Sequence, residues 1–397
     1  MLTVQQAFEY IMQTSSTASR ETVDISDADG RVLMETIIAD RPFPPFDRIT
    51  MDGIAINYND YGNGQRSFAI QGMQAAGDPQ KTLADGCCIE VMTGTVLPAN
   101  ADTVIPYEHL QQVNNTFLVT NEVVKQQNIH RKASDVGEGE VLLDNGVCIG
   151  GAEIAVLASV GKQQVTVSKK LKVALVATGN ELVPVNQRPE AHQVRMSNVY
   201  ALKAVLNNHN TTCTILHLND DKKELLQSFS SLFNEYDLII CSGGVSAGKL
   251  DYIPEVLAEL AVDIKFHKVK QRPGKPLLFA VSKNNVLFFG LPGNPVSGFM
   301  CLHRYVIPWI HKTIGIKTPV EPLKAVLKED ILFDKPLTFF PPVHITTSNN
   351  GTLIADPHLT NGSGDYATLT SANAFLELPD GKDIFKKGEV YDAWFYR

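Results

Sequence analysis

Apolar runs alternate with amphipathic segments through the middle of the chain. LKVALVA (171–177), CTILHL (213–218) and DLIIC (237–241) are short and almost wholly apolar, which is typical of strands buried on both faces of a sheet. In DKKELLQSFSSLFNEY (221–236) the apolar residues recur at helical spacing. Similar patterns predict a helix in SNVYALKAVLNNHN, a short helix near 252–260, strands in DIKFHKV, PLLFAV and VLFFG, and a long helix from about 295 to 313. This alternation predicts a parallel sheet covered by helices on both faces.

The pattern changes on either side of this region. The N-terminal MLTVQQAFEYIMQTSS has helical spacing, whereas residues 45–130 show short strands and turn residues without a long helix. After Thr318 the pattern is again β-like and fits a small barrel or sandwich. We therefore predict a multidomain α/β plus β protein with a discontinuous linking domain (1–44 and 131–170), a β-rich domain (45–130), an α/β domain (171–317) and a C-terminal β domain (318–397).

Composition and charge narrow the class of protein. The hydrophobic content of 44% and charged content of 20% are ordinary for a folded chain, and the net charge of −8 argues against a general nucleic-acid binder. No apolar run has membrane-spanning length and no secretory signal is recognisable, so we expect a cytoplasmic protein that binds neither nucleic acid nor membrane. The six cysteines form no C-x-x-C pair, which argues against a zinc site or a disulfide framework.

Three loops follow predicted parallel strands and therefore meet at one sheet edge, where such sheets bind ligands. The first contains Glu181, the second is SGGVSAGKLD ending at Asp251, and the third is LPGNPVSG. Small residues allow a ligand to approach the main chain, and their N–H groups can bind anions. The candidate anion-binding residues are Ser242, Gly243, Gly244, Ser246, Gly248, Pro292, Gly293 and Asn294. Glu181 could equally be a solvated loop acid, and Asp251 a helix N-cap.

Other candidates have simpler structural explanations beside the functional one. Arg272 and Lys275 lie in the turn HKVKQRPGKP, where a solvated face is the usual explanation and phosphate contact the one we favour. Asp52 fits a turn with Gly53, and Thr93 fits a hairpin turn. Asp220 is most simply interpreted as the N-cap of the following helix.

Six motifs, in this order along the chain, resemble those of the molybdopterin molybdenumtransferases, the bacterial MoeA proteins to which the C-terminal domain of gephyrin is related. The motifs are FDRITMDGIA, MTGTVLPANADTVI, TGNEL, SGGVSAGKLD, RPGKP and LPGNPVSG. The resemblance covers nearly the whole chain. It implies a homodimer of four-part subunits, with an α/β domain like that of the molybdopterin adenylyltransferases (MogA-like) and a C-terminal β-barrel. It also implies that adenylylated molybdopterin and molybdate react to give molybdenum cofactor and AMP, with a divalent metal.

The resemblance also implies roles for particular residues. The family's functional positions fall on Asp52, Thr93, Glu181, Asp220 and Asp251, which we expect to be catalytic. We further expect Glu181 and Asp251 to bind Mg²⁺, and Asp52 and Thr93 to complete a site whose other half belongs to the second subunit. Molybdopterin adenylyltransferase and apo-molybdoenzymes are expected as further partners.

Two departures from the family pattern bear on activity. Ile54 stands where the family usually has an aromatic residue, and His130 takes the place of an arginine in NIHRKASD. Two alternative functions therefore stay open. One is a divergent member that binds molybdopterin or acts as a scaffold, and the other is a molybdopterin adenylyltransferase.

Overall fold

The structure, a computed structural model, describes residues 1–14, 16–245, 251–318, 321–358, 362 and 364–397. The chain forms two compact units. The large unit comprises Met1–Glu35, Asn145–Gly151 and Gln164–Arg397, and the small unit comprises Thr36–Asp144 and Ala152–Gln163. The four-domain division made from the sequence stays a prediction. Among the helices of the described ranges, none combines the length and hydropathy that a membrane crossing requires.

The helices, in chain order, are α1 (Val4–Gln13), α2 (Tyr58–Gly62), α3 (Gly151–Ser159), α4 (Asn198–Leu206), α5 (Lys222–Glu235), α6 (Ile253–Glu259), α7 (Pro295–Cys301), α8 (Ile307–Thr313) and α9 (Tyr366–Ser371). A π-helical turn over Leu302–Val306 joins α7 to α8, so the long helix predicted near 295–313 is present. Pro295 opens it at the first helical position, where the missing N–H costs nothing. The helix α1 begins with a capping box between Thr3 and Gln6.

The strands before residue 170 are β1 (Arg20–Asp24), β2 (Ile37–Ile38), β3 (Arg48–Ile49), β4 (Gly53–Ile56), β5 (Ser67–Gln74), β6 (Cys87–Val91), β7 (Thr103–Pro106), β8 (Leu110–Val113), β9 (Thr116–Val119), β10 (Ile129–His130), β11 (Val141–Leu143) and β12 (Gln164–Ser168). In the small unit, six of them form a sheet of order β7-β4-β6-β5-β9-β8. Its core holds Ile54, Phe68 and Ile105, each wholly buried. The predicted β-rich character of this region is therefore confirmed.

The middle strands are β13 (Leu171–Thr178), β14 (Leu182–Val183), β15 (Val194–Arg195), β16 (Thr211–Leu218), β17 (Leu238–Ser242), β18 (Asp263–His267), β19 (Gln271–Arg272), β20 (Leu278–Val281) and β21 (Leu287–Leu291). The central sheet has the order β16-β13-β17-β21-β20-β18. Its first four strands run parallel, as predicted, whereas β20 runs antiparallel to both of its neighbours, β21 and the edge strand β18. The short connection from Val281 to Leu287 explains this, because a parallel crossover needs about a dozen residues or more.

Alternate side chains of β13 feed two apolar clusters, one on each face of this sheet. Val173 and Leu175 pack into the cluster that contains α4 and the long helix, and Ala174 and Val176 pack into the cluster that contains α5 and α6. Burial on both faces explains why these strands read as continuous apolar runs.

The C-terminal strands are β22 (Leu323–Leu327), β23 (Ile331–Leu332), β24 (Thr338–Phe339), β25 (Pro342–Thr347), β26 (Leu353–Pro357), β27 (Ala374–Glu377), β28 (Ile384–Phe385) and β29 (Val390–Phe395). A closed barrel forms from β22-β26-β25-β27-β29. Arg304 of the π-helical turn contacts this barrel, donating from Nε to Glu377 Oε2 at 2.8 Å and lying over the Trp394 ring. The predicted multidomain α/β plus β fold with a C-terminal barrel is confirmed.

We expect the large unit to lose stability in acid because of His303, which lies in the π-helical turn. It is only 8% exposed, its ring packs against Phe299 with 4.7 Å between centroids, and burial, with the neighbouring His209, lowers its pKa to about 3. The unfolded chain therefore binds a proton below about pH 6.5 that the folded chain excludes. We expect this residue to remove about 1 kcal/mol from the free energy of unfolding between about pH 6 and pH 5, and progressively more towards its folded pKa.

The measurement is urea denaturation over that pH range. The substitution His303→Phe should flatten the pH dependence by the stated amount, whereas His192→Gln, at an exposed loop position, should leave it as in the wild type. If His303→Phe leaves the pH dependence of the free energy of unfolding unchanged, His303 takes up its proton over the same pH range in the folded and the unfolded protein.

Candidate functional site

A cavity of about 670 Å³ lies at the carboxyl edge of the parallel strands. The register of these strands sets Ala177 opposite Ser242 and Ser242 opposite Leu291, so the loops that follow β13, β17 and β21 leave the sheet at one level. The predicted site residues that line this cavity are Glu181, Asp220, Ser242, Gly243, Gly244, Asp251, Pro292, Gly293 and Asn294. Ser246 and Gly248 lie outside the described residues. The three loops therefore share one ligand-sized cavity.

Two glycines keep the floor of the cavity free of side chains. Gly243 has φ +106°, and a Cβ atom there would lie 2.7 Å from the carbonyl oxygen of Thr178. Gly244 has φ +65°, and its Cβ would lie 2.8 Å from Cδ1 of Ile253. Only glycine adopts such backbone angles in so little space. The close approach of β13 to this loop therefore requires glycine at both positions.

Acidic side chains from three elements face the cavity. Glu181 is exposed, whereas Asp220 and Asp251 are half-buried. Burial raises the pKa of Asp220, and the negative charges of Glu181 and Asp251 raise it further, although a hydrogen bond from the Asn180 backbone lowers it. A carboxyl group in this position binds a proton or a cation more readily than an isolated one. The cavity is therefore a focus of negative charge.

The structure also shows which residues cap the helices that follow Asp220 and Asp251. The N-cap of α5 is Asp221, which accepts from the Glu224 N–H at 2.8 Å, so the interpretation of Asp220 as that cap is wrong. The cap position of α6 is held by Tyr252, not by Asp251. In each case the acid one residue before the cap lines the cavity instead.

The basic turn lines a second, adjoining cavity of about 720 Å³. Arg272 and Lys275 contribute to it, and Pro292 and Asn294 line both cavities. Gln271, wholly buried, supports this turn by donating from Nε2 to the Gly274 carbonyl oxygen at 2.9 Å. The sequence-predicted cations are thus close to the acidic cavity without lining it.

In the small unit, Asp52 and Thr93 are directly bonded. Asp52 Oδ1 accepts from the Thr93 backbone N–H at 2.7 Å and from its hydroxyl group at 2.9 Å. These bonds lower the pKa of Asp52, the backbone bond most strongly, so the side chain is a carboxylate at neutral pH. The turn that we predicted at Thr93 is present, with Gly94 at φ +88°. The two loops form a single exposed feature.

The two departures from the family pattern have different structural consequences. Ile54 is a wholly buried residue of β4, so the exchange alters packing inside the small unit. His130 accepts at Nδ1 from the Arg48 guanidinium at 3.1 Å and donates from Nε2 to Asp135 Oδ1 at 2.7 Å. The neighbouring Arg131 binds Asp47 at 2.5 Å. This segment is therefore held by hydrogen bonds of His130 and by the ion pair of Arg131 with Asp47.

Sequence analysis missed several residues of the acidic cavity, among them Arg195, Asn198 and Tyr366. Asn198 begins α4, which follows one of the parallel strands, and a helix start at the carboxyl edge of a sheet is a recognisable signal. Tyr366 begins α9 in the C-terminal region and has no local signal, because its contact with Asn198 spans 168 residues.

Fold and site together define a class of protein: a multidomain chain whose α/β domain carries a ligand-sized cavity lined by acidic residues and glycine-rich loops. Residues 2–161 match the model of the MoeA N-terminal region (domain I and II), 174–312 that of a probable molybdopterin binding domain, and 324–396 that of the MoeA C-terminal region (domain IV). The chain belongs to the MoeA family of molybdopterin molybdenumtransferases.

Individual relatives agree with this assignment. The molybdopterin molybdenumtransferase of a Synechocystis species is 37% identical over 401 residues, covering 99% of this chain and all of the relative (100%). The Staphylococcus epidermidis protein of the same name is 31% identical and covers 99% and 95%. The crystal structure of the molybdopterin biosynthesis protein MoeA from Pyrococcus horikoshii superposes with a TM-score of 0.85 at 26% identity, covering 100% of both chains. The resemblance found in the sequence motifs is confirmed.

The cavity floor can be tested with two glycine substitutions. Gly243→Ala should lower the free energy of unfolding by about 1–3 kcal/mol, because it combines a left-handed φ with a clash against Thr178. Gly293→Ala is the matched control, since its Cβ would meet only Gly243 Cα at 3.7 Å. It should change stability by about 0.5 kcal/mol or less. Equal effects of the two substitutions in urea denaturation would contradict this description of the loop.

Proposed function

We propose that this protein inserts molybdenum from molybdate into adenylylated molybdopterin and releases AMP. Membership of the MoeA family supports a transferase role in molybdenum cofactor biosynthesis. The observation that carries the finer proposal is the meeting of Glu181, Asp220 and Asp251 with two glycine-rich loops in one cavity. That combination suits a phosphate-containing ligand, because the glycine-rich loops can bind phosphate and the acids can transfer protons or bind a cation.

The phosphate groups of the substrate would bind first to the main chain of the glycine loops. Gly244 and Gly293 line the cavity on glycine-rich loops whose backbone N–H groups suit phosphate, and the loop of Gly293 leads into the long helix. The Gly243 N–H instead donates to the Leu291 carbonyl oxygen at 3.2 Å. Molybdate is a dianion and would be repelled by the acids, so it needs cationic or hydroxyl partners. Arg272 and Lys275 of the adjoining cavity are the candidates for binding molybdate or phosphate.

The acidic residues fit Mg²⁺ in the form this ion usually takes in phosphate chemistry. No group of three or more ligating side chains lies within metal-binding reach in the part of the chain that the structure describes. Mg²⁺ commonly uses one or two carboxylates and completes its shell with substrate phosphates and water. Glu181 and Asp251 would be its ligands. Their negative charges, which raise the pKa of Asp220, are the charges that a bound cation would neutralise. When bound, Mg²⁺ would polarise the phosphoryl oxygens and offset the charge on departing AMP.

Asp220 would serve in proton transfer. Its pKa is raised by burial and by Glu181 and Asp251, so it retains a proton to higher pH than an ordinary aspartate. Molybdate must lose oxide ligands as the dithiolene sulfurs bind the metal, and each departing oxide needs protons. A half-buried carboxyl group beside the phosphate loops is a suitable general acid for that step.

Asp52 and Thr93 would act as part of a site shared between two subunits. They belong to the small unit, whereas the acids of the cavity belong to the large unit. In a homodimer, the exposed Asp52–Thr93 pair of one subunit would complete the cavity of the other. The dimer and this exchange are part of the proposal, as are contacts with molybdopterin adenylyltransferase and with apo-molybdoenzymes.

Two alternative functions give different results in the same assays. An adenylyltransferase would consume ATP in the absence of molybdate. A scaffold would form a stable complex with a partner protein, and Glu181→Ala would leave that complex intact. The meeting of Glu181, Asp220 and Asp251 in one cavity favours the molybdenumtransferase.

The first test is AMP release from adenylylated molybdopterin with Mg²⁺, with and without molybdate. Asp251→Ala should reduce molybdate-dependent release about 100-fold or more, because it removes a carboxylate from the cavity. Asp263→Ala removes an exposed carboxylate that pairs with Lys265 on β18, and it should release AMP as the wild type does. Well-folded wild-type protein that releases no AMP would refute the proposed reaction.

The second test asks whether the site is shared between subunits. Asp52→Ala and Glu181→Ala should each be inactive, whereas a mixture of the two, dissociated and reassembled, should regain about a quarter of wild-type activity, because half of the dimers then carry one intact site. A mixture of Glu181→Ala with Asp251→Ala is the control and should regain none, since both substitutions fall in the same cavity. No recovery in the first mixture would place the complete site within one subunit.

A further inference from the structure

Asn198, the first residue of α4, joins two loops of the acidic cavity. Its Nδ2 donates to Ser242 Oγ at 2.9 Å and to the Gly293 carbonyl oxygen at 2.8 Å. Ser242 ends β17, and Gly293 lies between β21 and α7. Because β17 and β21 are adjacent strands, one side-chain amide sets the spacing between the two loops that follow them.

Tyr366, the first residue of α9, binds the other end of this amide. Its hydroxyl group donates to Asn198 Oδ1. Burial raises the pKa of Tyr366, against the smaller effect of a hydrogen bond from the Ser197 side chain, so the hydroxyl group keeps its proton at neutral pH. Asp365 fixes the start of α9 by accepting from the Ala367 N–H at 3.0 Å. The C-terminal region thereby supplies a hydrogen-bond donor to the edge of the cavity.

The chemistry of the partners determines the orientation of the Asn198 amide. A carbonyl oxygen only accepts, so Gly293 must face the NH₂ group. The amide oxygen then faces Tyr366, which provides the proton. Both hydrogens of the NH₂ group and the amide oxygen are engaged. Rotating the amide by half a turn would set its oxygen against the Gly293 carbonyl oxygen and break that hydrogen bond.

This orientation determines what Ser242 can do. Its Oγ accepts from Asn198, so the single hydrogen of the hydroxyl group remains for an acceptor. Ser242 lines the cavity beside Gly243 and Gly244, where the phosphate of the substrate would bind, and phosphate oxygens only accept. We propose that Asn198 and Tyr366 are positioning residues that hold the Ser242 hydroxyl group as a hydrogen-bond donor to a phosphate oxygen, an inference that rests on the proposed function.

The test is a double-mutant cycle between Tyr366→Phe and Ser242→Ala, measured as kcat and KM for adenylylated molybdopterin and as the Kd of AMP by calorimetry. Tyr366→Phe should raise KM and Kd about fivefold, the effect of one neutral hydrogen bond, and leave kcat within about twofold. In the Ser242→Ala background it should add less than about 1.5-fold, because both substitutions interrupt one chain of hydrogen bonds. A tyrosine with a merely structural role would give additive effects.

Tyr391→Phe is the matched control, because it removes a hydroxyl group that binds Glu389 in the barrel, and it should match the wild type. Active wild-type protein combined with full additivity, or with an unchanged KM in Tyr366→Phe, would overturn the positioning role and leave the proposed function standing. Wild-type protein that neither binds AMP nor releases it would overturn both. If Tyr366→Phe does not fold, Asn198→Ala replaces it in the cycle under the same criteria.

Discussion

The parallel register of β13, β17 and β21 is the constraint on which the site depends. Hydrogen bonding between these strands sets Ala177, Ser242 and Leu291 side by side, so three loops distant in sequence leave the sheet together. A shift of one residue in β17 would turn its side chains to the opposite face and move the glycine loop away from Thr178. Buried apolar clusters on both faces make such a shift costly. The packing that stabilises the sheet therefore also holds the acidic cavity in register.

The C-terminal barrel contributes to the site through the long helix. Arg304 is 4% exposed, binds Glu377 of β27 and lies between the rings of Phe8 and Trp394, so it links α1, the long helix and the barrel. A buried charge of this kind requires its partner, since removing one side leaves the other uncompensated. The same attachment carries α9, and with it Tyr366, to the edge of the acidic cavity. These side-chain contacts therefore connect the barrel to the acidic cavity within the large unit.

Sequence alone predicted what depends on local pattern. The apolar runs of the middle region predicted the strands and the parallel core, and the glycine-rich loops predicted the cavity that they line. The strands β18 and β20 were predicted, but the antiparallel direction of β20 was missed, because it depends on connection length and not on residue pattern. The assignment of Asp220 as a cap failed because two consecutive aspartates are equally good caps by composition, and only backbone geometry selects Asp221. Tyr366 could not be found because tertiary packing alone brings it to Asn198.

If the glycine-rich loop binds phosphate as proposed, the separation of charge between the two cavities explains why it can end in an aspartate. Within the described part of the chain, Arg272 and Lys275 form no ion pair with Glu181 or Asp220, although the two cavities share Pro292 and Asn294. Ion pairing between them would cancel both charges and lower the pKa of Asp220, which is instead raised. The negative charge of Glu181 and Asp251 therefore persists at Asp220, where a proton or a cation can neutralise it. Under the proposed function, a substrate that spans both cavities would bring phosphate to Arg272 and Lys275 and a counter-ion to the acids.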